Sequence, residues 1–470
     1  MVDILIRDAK YVITMDKDRR VIKDGLIAIE GNKILDVGKT VDLARKYSAE
    51  TVIDAKQKLL LPGFINVHTH AGSAINRGVC DDVPNVLATI FLPLAGQQTK
   101  EDRRRIARAG LLDDVRFGTT CIGDDLTLAE DVAEMGLRGV LNLYVRDADT
   151  TSYDYAHHLK YSYRPEIGEL LLREGLDEME KWDGKADGRI SCALGPHGPD
   201  YCSRQLLEEM RELANKRKKR LTIHLAQNYM EIHQVRSLYG KTPVEFLRDI
   251  DFLGPDVYAA HCIYATMNDI KILKNSDTKI CHSPLNLARL QSVVAPVLEW
   301  IDLGMTVGIC TDGAGSGDML ESARAALTLQ RVRAGQGYHQ YPICGAAPPS
   351  PMKILEMMTI DAAKVLGLDN EIGSLGPGKK ADVVLLNART PHLTPMINPV
   401  GSIIHYAFGS DVDTSIVDGK VIMENRVVGT VDEEEVLEQA QEAGERTYAK
   451  FQGKFRDHIE AYGIYKALEY

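Results

Sequence analysis

The sequence lacks the features that would place it in a membrane or in a disulfide-bonded scaffold. Its longest apolar runs, such as Leu59–Leu61, are far shorter than the roughly 20 residues of a membrane helix. Charged residues interrupt the first segment at Asp3, Arg7 and Asp8, so we expect no signal peptide. The eight cysteines form no CxxC pair and are too sparse for a disulfide framework. We therefore expect reduced thiols and a cytoplasmic location.

Basic residues are also fewer than acidic ones. The 470 residues contain 56 lysines and arginines against 67 aspartates and glutamates, which gives a formal net charge of −11. A mixed acidic surface argues against nucleic acid or an anionic membrane as the main partner. Hydrophobic residues make up 44% and charged residues 26%, values that are typical of a globular protein. The composition is compatible with a small-molecule substrate but does not identify one.

Short predicted strands occur at both ends of the chain and are separated by turn residues. Residues 1–61 and 376–430 are therefore predicted to pair into one small composite β-sandwich. The predicted strands are Ile4–Ile6, Tyr11–Thr14, Gly25–Glu30, Lys33–Val37, Thr51–Asp54, Ala381–Leu386, Ile403–Tyr406, Thr414–Val417 and Lys420–Glu424. Residues 431–470 are charged and predict a C-terminal helical extension.

Between these ends, apolar runs of strand length alternate with amphipathic helical patterns. The eight predicted strands are Phe64–His68, Thr119–Ile122, Gly139–Val145, Ile190–Leu194, Leu221–Leu225, Val257–Ala260, Lys279–Cys281 and Val307–Cys310. Continuous apolar strands that alternate with helices indicate a parallel sheet covered on both faces. Eight such units predict an α/β fold, a closed (β/α)₈ TIM barrel that spans residues 62–375.

Histidines fall at the ends of four of these predicted strands. The chemistry-bearing residues at strand ends are His68, His70, His224, His261 and His282, with Asp312 after the eighth strand. Residues at the carboxyl ends of barrel strands converge on one mouth. His68 and His70 are two apart and can face the same side, where His224 and Asp312 would complete a nitrogen-rich site. Such ligands suit Zn²⁺, with Fe²⁺ as the alternative.

The motifs around these residues resemble the amidohydrolase superfamily over essentially the whole chain. Within it, the sequence is similar to the branch of methylthioadenosine/S-adenosylhomocysteine deaminases and s-triazine chloro- and aminohydrolases. The motifs that carry the resemblance, in family order, are LLPGFINVHTH, the Arg77-Gly78-x-x-x-Asp82 segment, FGTT, GPHGPDYCS, IHLAQ, AHC, HSPLN, TDGAGS and GSLGPGKKADVVLL.

The resemblance implies a barrel with a small sandwich and one divalent metal ion. It assigns the metal to His68, His70, His224 and Asp312. His261 would lie near the metal-bound water, where either it or Asp312 takes the proton. The resemblance further implies that His282 lines the pocket beside Asn286, and that His197 contacts the substrate. It also implies a homo-oligomer, either a dimer or a tetramer.

Two features depart from the family pattern. The deaminases place a glutamate three residues after the fifth-strand histidine, whereas this chain has Gln227. Glutamine can hold a hydrogen bond but cannot donate and recover a proton as a carboxyl group does. Asp124 or Asp125 could supply the missing acid, although Asp125 could equally cap the helix that follows. Relatives also carry a tryptophan in the segment after the first barrel strand, and residues 85–102 contain none.

These observations predict a metal-dependent hydrolase that cleaves a carbon–nitrogen bond of a cyclic or heteroaromatic nitrogen compound. The expected reaction is of the deaminase type and releases ammonia or an amine. The alternative is hydrolysis of an exocyclic amide, urea, carbamate or thiocarbamate, which Gln227 would favour. A third hypothesis is a structural or assembly protein that has lost catalysis, but such relatives usually lack the metal ligands that this chain retains.

Overall fold

The computed structural model describes residues 1–80, 86, 90–150, 161–313, 315–338 and 348–462, with backbone only at 337–338 and 453–462. The strands in this part of the chain are β1 Val2–Ile13, β2 Val21–Glu30, β3 Lys33–Lys39, β4 Ala49–Asp54, β5 Lys58–Pro62, β6 Phe64–Asn66, β7 Thr119–Asp125, β8 Arg138–Val145, β9 Ile190–Pro196, β10 Leu221–Leu225, β11 Val257–His261, β12 Lys279–His282, β13 Val307–Ile309, β14 Val383–Asn387, β15 Val412–Val417, β16 Lys420–Glu424 and β17 Val427–Val428.

The α-helices of the same ranges lie mostly between the strands of the barrel. They are α1 Thr40–Leu43, α2 Leu92–Ala95, α3 Lys100–Arg116, α4 Ala129–Glu134, α5 Pro165–Trp182, α6 Arg204–Arg217, α7 Tyr229–Tyr239, α8 Pro243–Asp249, α9 Met267–Asn275, α10 Pro284–Gln291, α11 Val297–Asp302, α12 Met319–Arg333, α13 Pro351–Met358, α14 Ile360–Leu366, α15 Pro399–Tyr406 and α16 Glu433–Tyr462. None of the helices in the described ranges combines the length and apolar character of a membrane span.

Strands β6 to β13 form the predicted parallel barrel in sequential order. Between the two end strands, a parallel bridge joins Thr69 to Asp312, and the Asp312 N–H donates to the His68 carbonyl oxygen at 3.1 Å. Inward residues such as Val140 and Tyr258 fill the barrel, whereas their neighbours Leu141 and Val257 pack in the core that includes the surrounding helices. This alternation is the period of two expected of strands. The predicted barrel class is therefore confirmed.

Strands from both ends of the chain form a second, nine-stranded mixed sheet. Its order is β17-β16-β15-β14-β5-β1-β2-β3. Strands β4 and β5 pair in parallel with the same edge of β1, β4 along residues 2–7 and β5 along residues 11–12. The antiparallel pairing of β5 with β14 joins the N-terminal strands to the C-terminal ones. The pairing of distant segments was expected, whereas the domain boundaries at 61, 375 and 430 stay a prediction.

One predicted strand is wrong. Residues Ile403–Tyr406 belong to helix α15, which begins with Pro399 in its first turn. The Asn398 side chain accepts a hydrogen bond from the Gly401 N–H and caps this helix. A short apolar run does not distinguish a strand from a buried helical turn. The proline and its cap therefore determine the conformation of this segment.

A buried ion-pair cluster links the barrel to the mixed sheet. Arg138, at the start of β8, donates to both carboxylate oxygens of Asp382 at 2.8 and 3.0 Å and to Asp418 at 3.0 Å. The three side chains are 2–4% exposed. Because Asp382 precedes β14 and Asp418 follows β15, this cluster fixes the mixed sheet against the amino-terminal end of a barrel strand.

We expect Arg138→Met to destabilise the protein by about 3–5 kcal/mol, because it leaves the buried Asp382 carboxylate without its cation and Asp418 with Lys380 alone. The measurement is the urea unfolding transition followed by circular dichroism. Arg204→Met is the control, since Arg204 forms an exposed pair with Glu208 and its loss should cost less than about 1 kcal/mol. Equal midpoints for the two variants would contradict the structural role of the cluster.

Candidate metal centre at the barrel mouth

The predicted metal ligands meet at the carboxyl ends of the barrel strands. His68 and His70 follow β6, His224 lies in β10, and Asp312 follows β13. The closure of the barrel between His68 and Asp312 brings the first and last strand ends together. His68 and Asp312 are therefore neighbours in space although 244 positions separate them in the sequence.

The distances between these side chains suit a small cation. Nε2 of His70 lies 3.3 Å from Nε2 of His224 and 3.8 Å from Oδ1 of Asp312. Nε2 of His68 lies 3.5 Å from the same carboxylate oxygen. Zinc–nitrogen bonds of about 2.0–2.1 Å in a tetrahedron would separate neighbouring ligand atoms by about 3.3 Å. The observed spacing is close to that value.

The ring nitrogens of His68 have no hydrogen-bond partner among the described residues, although the residue is 1% exposed. Buried polar atoms in folded proteins are almost always satisfied, so such an atom needs an explanation. Nδ1 of His224 lies 2.7 Å from the His197 carbonyl oxygen. With its proton on Nδ1, His224 donates there and presents the lone pair of Nε2 to the centre of the cluster. The donor set therefore fits a divalent metal ion.

Burial also keeps the imidazoles of His70, His224 and His261 in the form that binds metals. Burial, with the nearby His68, lowers the pKa of His70 to about 4. Burial is likewise the main cause that lowers the pKa of His261 to about 4 and that of His224 well below its usual value. Neutral imidazole is the ligand form, so the rings are ready to coordinate at pH 7.

Two residues lie close to Oδ2 of Asp312, the carboxylate oxygen that does not face His68 and His70. Asn286 donates from Nδ2 to Oδ2 of Asp312 at 2.6 Å. Nδ1 of His261 lies 3.9 Å from the same oxygen and 3.2 Å from Oγ of Ser283. The predicted site residues Asp312, Asn286 and His261 are thus brought together. Asn286 fixes the carboxylate, and His261 is near enough to exchange a proton with it through a water molecule.

The remaining predicted residues border this cluster. The His197 ring stacks on that of His224 with centroids 4.7 Å apart. His282 packs edge-on to Trp300 at 5.9 Å, and both of its ring nitrogens are buried without a partner in the described structure. Nε2 of Gln227 and Nδ1 of His197 are buried in the same unsatisfied state. A substrate would satisfy such atoms.

The two aspartates suggested as substitutes for a glutamate at position 227 are already engaged. Asp124 accepts the backbone N–H groups of Ala71 and Asp125 at 2.9 and 2.6 Å. Asp125 accepts the Thr127 N–H, so it caps the following 3₁₀ turn, and it pairs with Arg103 at 2.9 Å. The capping interpretation of Asp125 is confirmed.

Three polar residues near the site were not anticipated. The ring of Tyr144, at the end of β8, lies 5.8 Å from that of His70 and 5.9 Å from that of His224. Its buried hydroxyl has no partner within the described ranges. Asp200 and Glu231 are 1% and 0% exposed and follow β9 and β10. The signal for all three was their position near the carboxyl end of a predicted strand.

Asp82, Ala314 and residues 85 and 87–89 of the segment without tryptophan lie outside the described residues. Arg77, which belongs to the same motif as Asp82, pairs with Asp113 at 2.9 Å and donates to the Gly315 carbonyl oxygen at 3.0 Å.

A closed parallel barrel with clustered imidazoles and a carboxylate at its mouth defines a class of enzymes that hold a divalent cation at the carboxyl ends of the strands. The model of the amidohydrolase family matches residues 59–422. This chain belongs to the amidohydrolase family.

Full-length relatives and solved structures are similar to this chain. It is 36% identical to a 5'-deoxyadenosine deaminase of Methanosarcina acetivorans, over 96% of this chain and 99% of the relative. It is 34% identical to a 5-methylthioadenosine/S-adenosylhomocysteine deaminase of Desulforamulus reducens, over 95% and 99% of the two chains. The fold is similar to a zinc-bound adenosine deaminase from Xanthomonas campestris, with a TM-score of 0.84, 22% identity and coverage of 95% and 99%. A zinc complex of atrazine chlorohydrolase from Arthrobacter aurescens gives a TM-score of 0.83, 23% identity and coverage of 94% and 100%.

We expect the purified protein to hold about one divalent ion per chain, and His68→Asn to lose it, because this variant removes an imidazole from the centre of the cluster. The measurement is elemental analysis by mass spectrometry after dialysis. His392→Asn is the control, since His392 also pairs with an aspartate, Asp411, at 2.8 Å, but is partly exposed and belongs to the region near α15. Retention of the ion by His68→Asn would contradict the assignment.

Proposed function

We propose that this protein is a metal-dependent aminohydrolase that cleaves a carbon–nitrogen bond of a heteroaromatic nitrogen compound and releases ammonia or an amine. The observation that carries the proposal is the convergence of His68, His70, His224 and Asp312, whose ligand atoms lie 3.3–3.8 Å apart in neighbouring pairs and include the unsatisfied Nε2 of His68. The deaminases named above support a 6-aminopurine nucleoside altered at its 5' position as the substrate class.

We infer one metal ion, with zinc as its identity, held by His68, His70, His224 and Asp312. The imidazole-rich donor set suits zinc, and the zinc-containing structural neighbours support the same choice. When bound, such an ion lowers the pKa of a coordinated water towards about 7 and so supplies hydroxide at neutral pH. The cytoplasmic location and the homo-oligomeric state stay predictions.

Asp312 is the proposed general base. Its Oδ2 is fixed by the amide of Asn286, so the carboxylate keeps one orientation as it takes a proton from the attacking water. His261 is neutral at pH 7 and lies 3.9 Å from the same oxygen. It can therefore accept this proton or hold the water by a hydrogen bond. The proton then has to reach the leaving nitrogen.

Gln227 and His197 are the proposed substrate contacts. The Gln227 amide offers a donor and an acceptor to the edge of a heteroaromatic ring, and the His197 imidazole offers a further hydrogen bond. Gln227 has no ionisable proton, so it cannot serve as the acid. The proton that Asp312 or His261 takes from the water is the one available to the leaving group.

We expect the zinc-loaded protein to release ammonia from at least one of 5'-deoxyadenosine, 5-methylthioadenosine, S-adenosylhomocysteine and adenosine. The measurement combines an ammonia assay with the ultraviolet shift from the amino- to the oxo-purine. His392→Asn serves again as the control, and His68→Asn should be inactive. Release from none of these nucleosides, nor from aminopterins and aminotriazines, would reject the proposed function.

Gln227→Glu separates the aminohydrolase from the amide-type alternative that Gln227 itself favours. On a 6-aminopurine nucleoside we expect kcat to rise by about 10²-fold, because a carboxyl at this position can protonate the ring and then recover the proton. Gln227→Ala should lose activity. If Gln227→Glu instead abolishes the native activity while metal content is unchanged, the chemistry belongs to an amide, urea or carbamate substrate.

A further inference from the structure

The loop that carries Gln227 is held by a carboxylate buried beneath it. Glu231, in the first turn of α7, accepts the Ala226 N–H on Oε1 and the Gln227 N–H on Oε2, both at 2.7 Å. Glu231 is 0% exposed, and no cation pairs with it within the described residues. A carboxylate that accepts two backbone donors makes short, charge-assisted bonds, which fix the geometry of a loop more tightly than neutral bonds do.

The same loop needs this support because its backbone is unusual. Ala226 adopts a left-handed conformation with φ of +48°. A residue with a side chain rarely takes that conformation without local compensation. The Ala226 carbonyl oxygen accepts the Tyr264 N–H at 3.0 Å, so the turn is also tied to the segment after β11. The turn directs the chain from the metal-ligand candidate His224 to Gln227 within three residues.

Glu231 has an acidic neighbour and no positive partner among the described residues. Asp200 is its electrostatic neighbour, and Oδ1 of Asp200 is buried without a donor in the described structure. Burial raises the pKa of Asp200 to about 7, and burial together with Asp200 raises that of Glu231 well above its usual value. The two backbone N–H groups that Glu231 accepts act in the opposite direction and favour its ionised form.

We propose that Glu231 is a positioning residue for the reaction: its carboxylate locks the 226–227 turn and thereby sets the Gln227 amide against the substrate. This inference rests on the proposed function, because it assigns Gln227 to substrate contact. Glu231 does not touch the substrate and acts only through Gln227. A displacement of about 1 Å in a substrate-orienting group can cost about 10²-fold in rate.

The kinetic test is a double-mutant cycle between Glu231 and Gln227, with the nucleoside that the wild-type enzyme deaminates fastest. Glu231→Gln replaces one acceptor oxygen by an amide that faces a backbone N–H, and we expect kcat/KM to fall by about 10–10²-fold with metal content unchanged. The double variant with Gln227→Ala should be no slower than Gln227→Ala alone, because both changes disable one contact. If the losses of kcat/KM in the two single variants multiply in the double variant, the proposal is overturned.

Asp269 provides the matched control. It is 1% exposed, and its carboxylate in α9 accepts the Thr266 N–H at 2.8 Å, just as Glu231 bonds back from α7 to the loop before it. We expect Asp269→Asn to lower the melting temperature but to leave kcat/KM unchanged in both the wild-type and the Gln227→Ala backgrounds. An equal loss of kcat/KM in Asp269→Asn would show a general structural effect and would overturn the positioning role.

A second measurement needs no substrate and separates this inference from the proposed function. Hydrogen exchange of the zinc-loaded protein, followed by mass spectrometry, should show the Ala226 and Gln227 amides protected in the wild type and in Asp269→Asn, but exposed in Glu231→Gln. Equal protection in all three would overturn the inference. If the wild type releases no ammonia while the amides lose protection in Glu231→Gln, the proposed function fails, but the locking of the 226–227 turn by Glu231 stands.

Discussion

The barrel mouth depends on one constraint, which is the accumulation of buried polar atoms that the protein itself does not satisfy. His68 sits at 1% exposure with both ring nitrogens unpartnered in the described structure. Each unsatisfied buried group costs about 1–3 kcal/mol. A divalent cation would satisfy Nε2 of His68, and the ligand candidates around it are spaced at 3.3–3.8 Å, which matches the ligand shell of such an ion. Binding of a cation would therefore offset part of the cost of these buried polar atoms.

The same constraint explains why the fold must close. His68 and His70 come from the first barrel strand and Asp312 from the end of the last, so they meet only when β6 lies beside β13. The bond from the Asp312 N–H to the His68 carbonyl oxygen makes that junction with backbone atoms and leaves the side chains for the ion. The Arg138 cluster on the mixed sheet supports the barrel away from its mouth. The residues that stabilise the contact between barrel and mixed sheet and the residues of the candidate site therefore lie at opposite ends of the barrel strands.

The barrel could be predicted from the sequence because strands buried on both faces appear as continuous apolar runs. All eight were located, and Leu221–Leu225 was placed with its observed bounds. The strand Lys58–Pro62 was missed, although its apolar run Leu59–Leu61 was noted, because only its long-range pairing with β1 and β14 defines it. Ile403–Tyr406 was assigned to the wrong state for the opposite reason, since its helix is set locally by Asn398 and Pro399.

The metal-ligand candidates could be predicted because histidines at strand ends are rare and conspicuous. Tyr144, Asp200 and Glu231 could not, since a tyrosine or an acid near a strand end is ordinary until the fold shows it to be buried. Glu231 in particular has the pattern of a helix first turn, where acids are common. Only the two hydrogen bonds back to Ala226 and Gln227 distinguish it from a solvated helix start.

The balance of charge offers a reason for an amide at position 227. In the proposed site, a divalent cation would face the Asp312 carboxylate and neutral imidazoles, which leaves one positive charge in a desolvated region. Glu231, whose two carboxylate oxygens both accept backbone N–H groups, forms a buried acidic pair with Asp200 behind the Gln227 turn. A carboxylate at 227 would add a further negative charge beside that pair, and like charges in a low-dielectric interior raise one another's pKa. The neutral amide of Gln227 and the buried carboxylate of Glu231 are therefore coupled: because an acid is already buried at position 231, a neutral side chain is favoured at position 227.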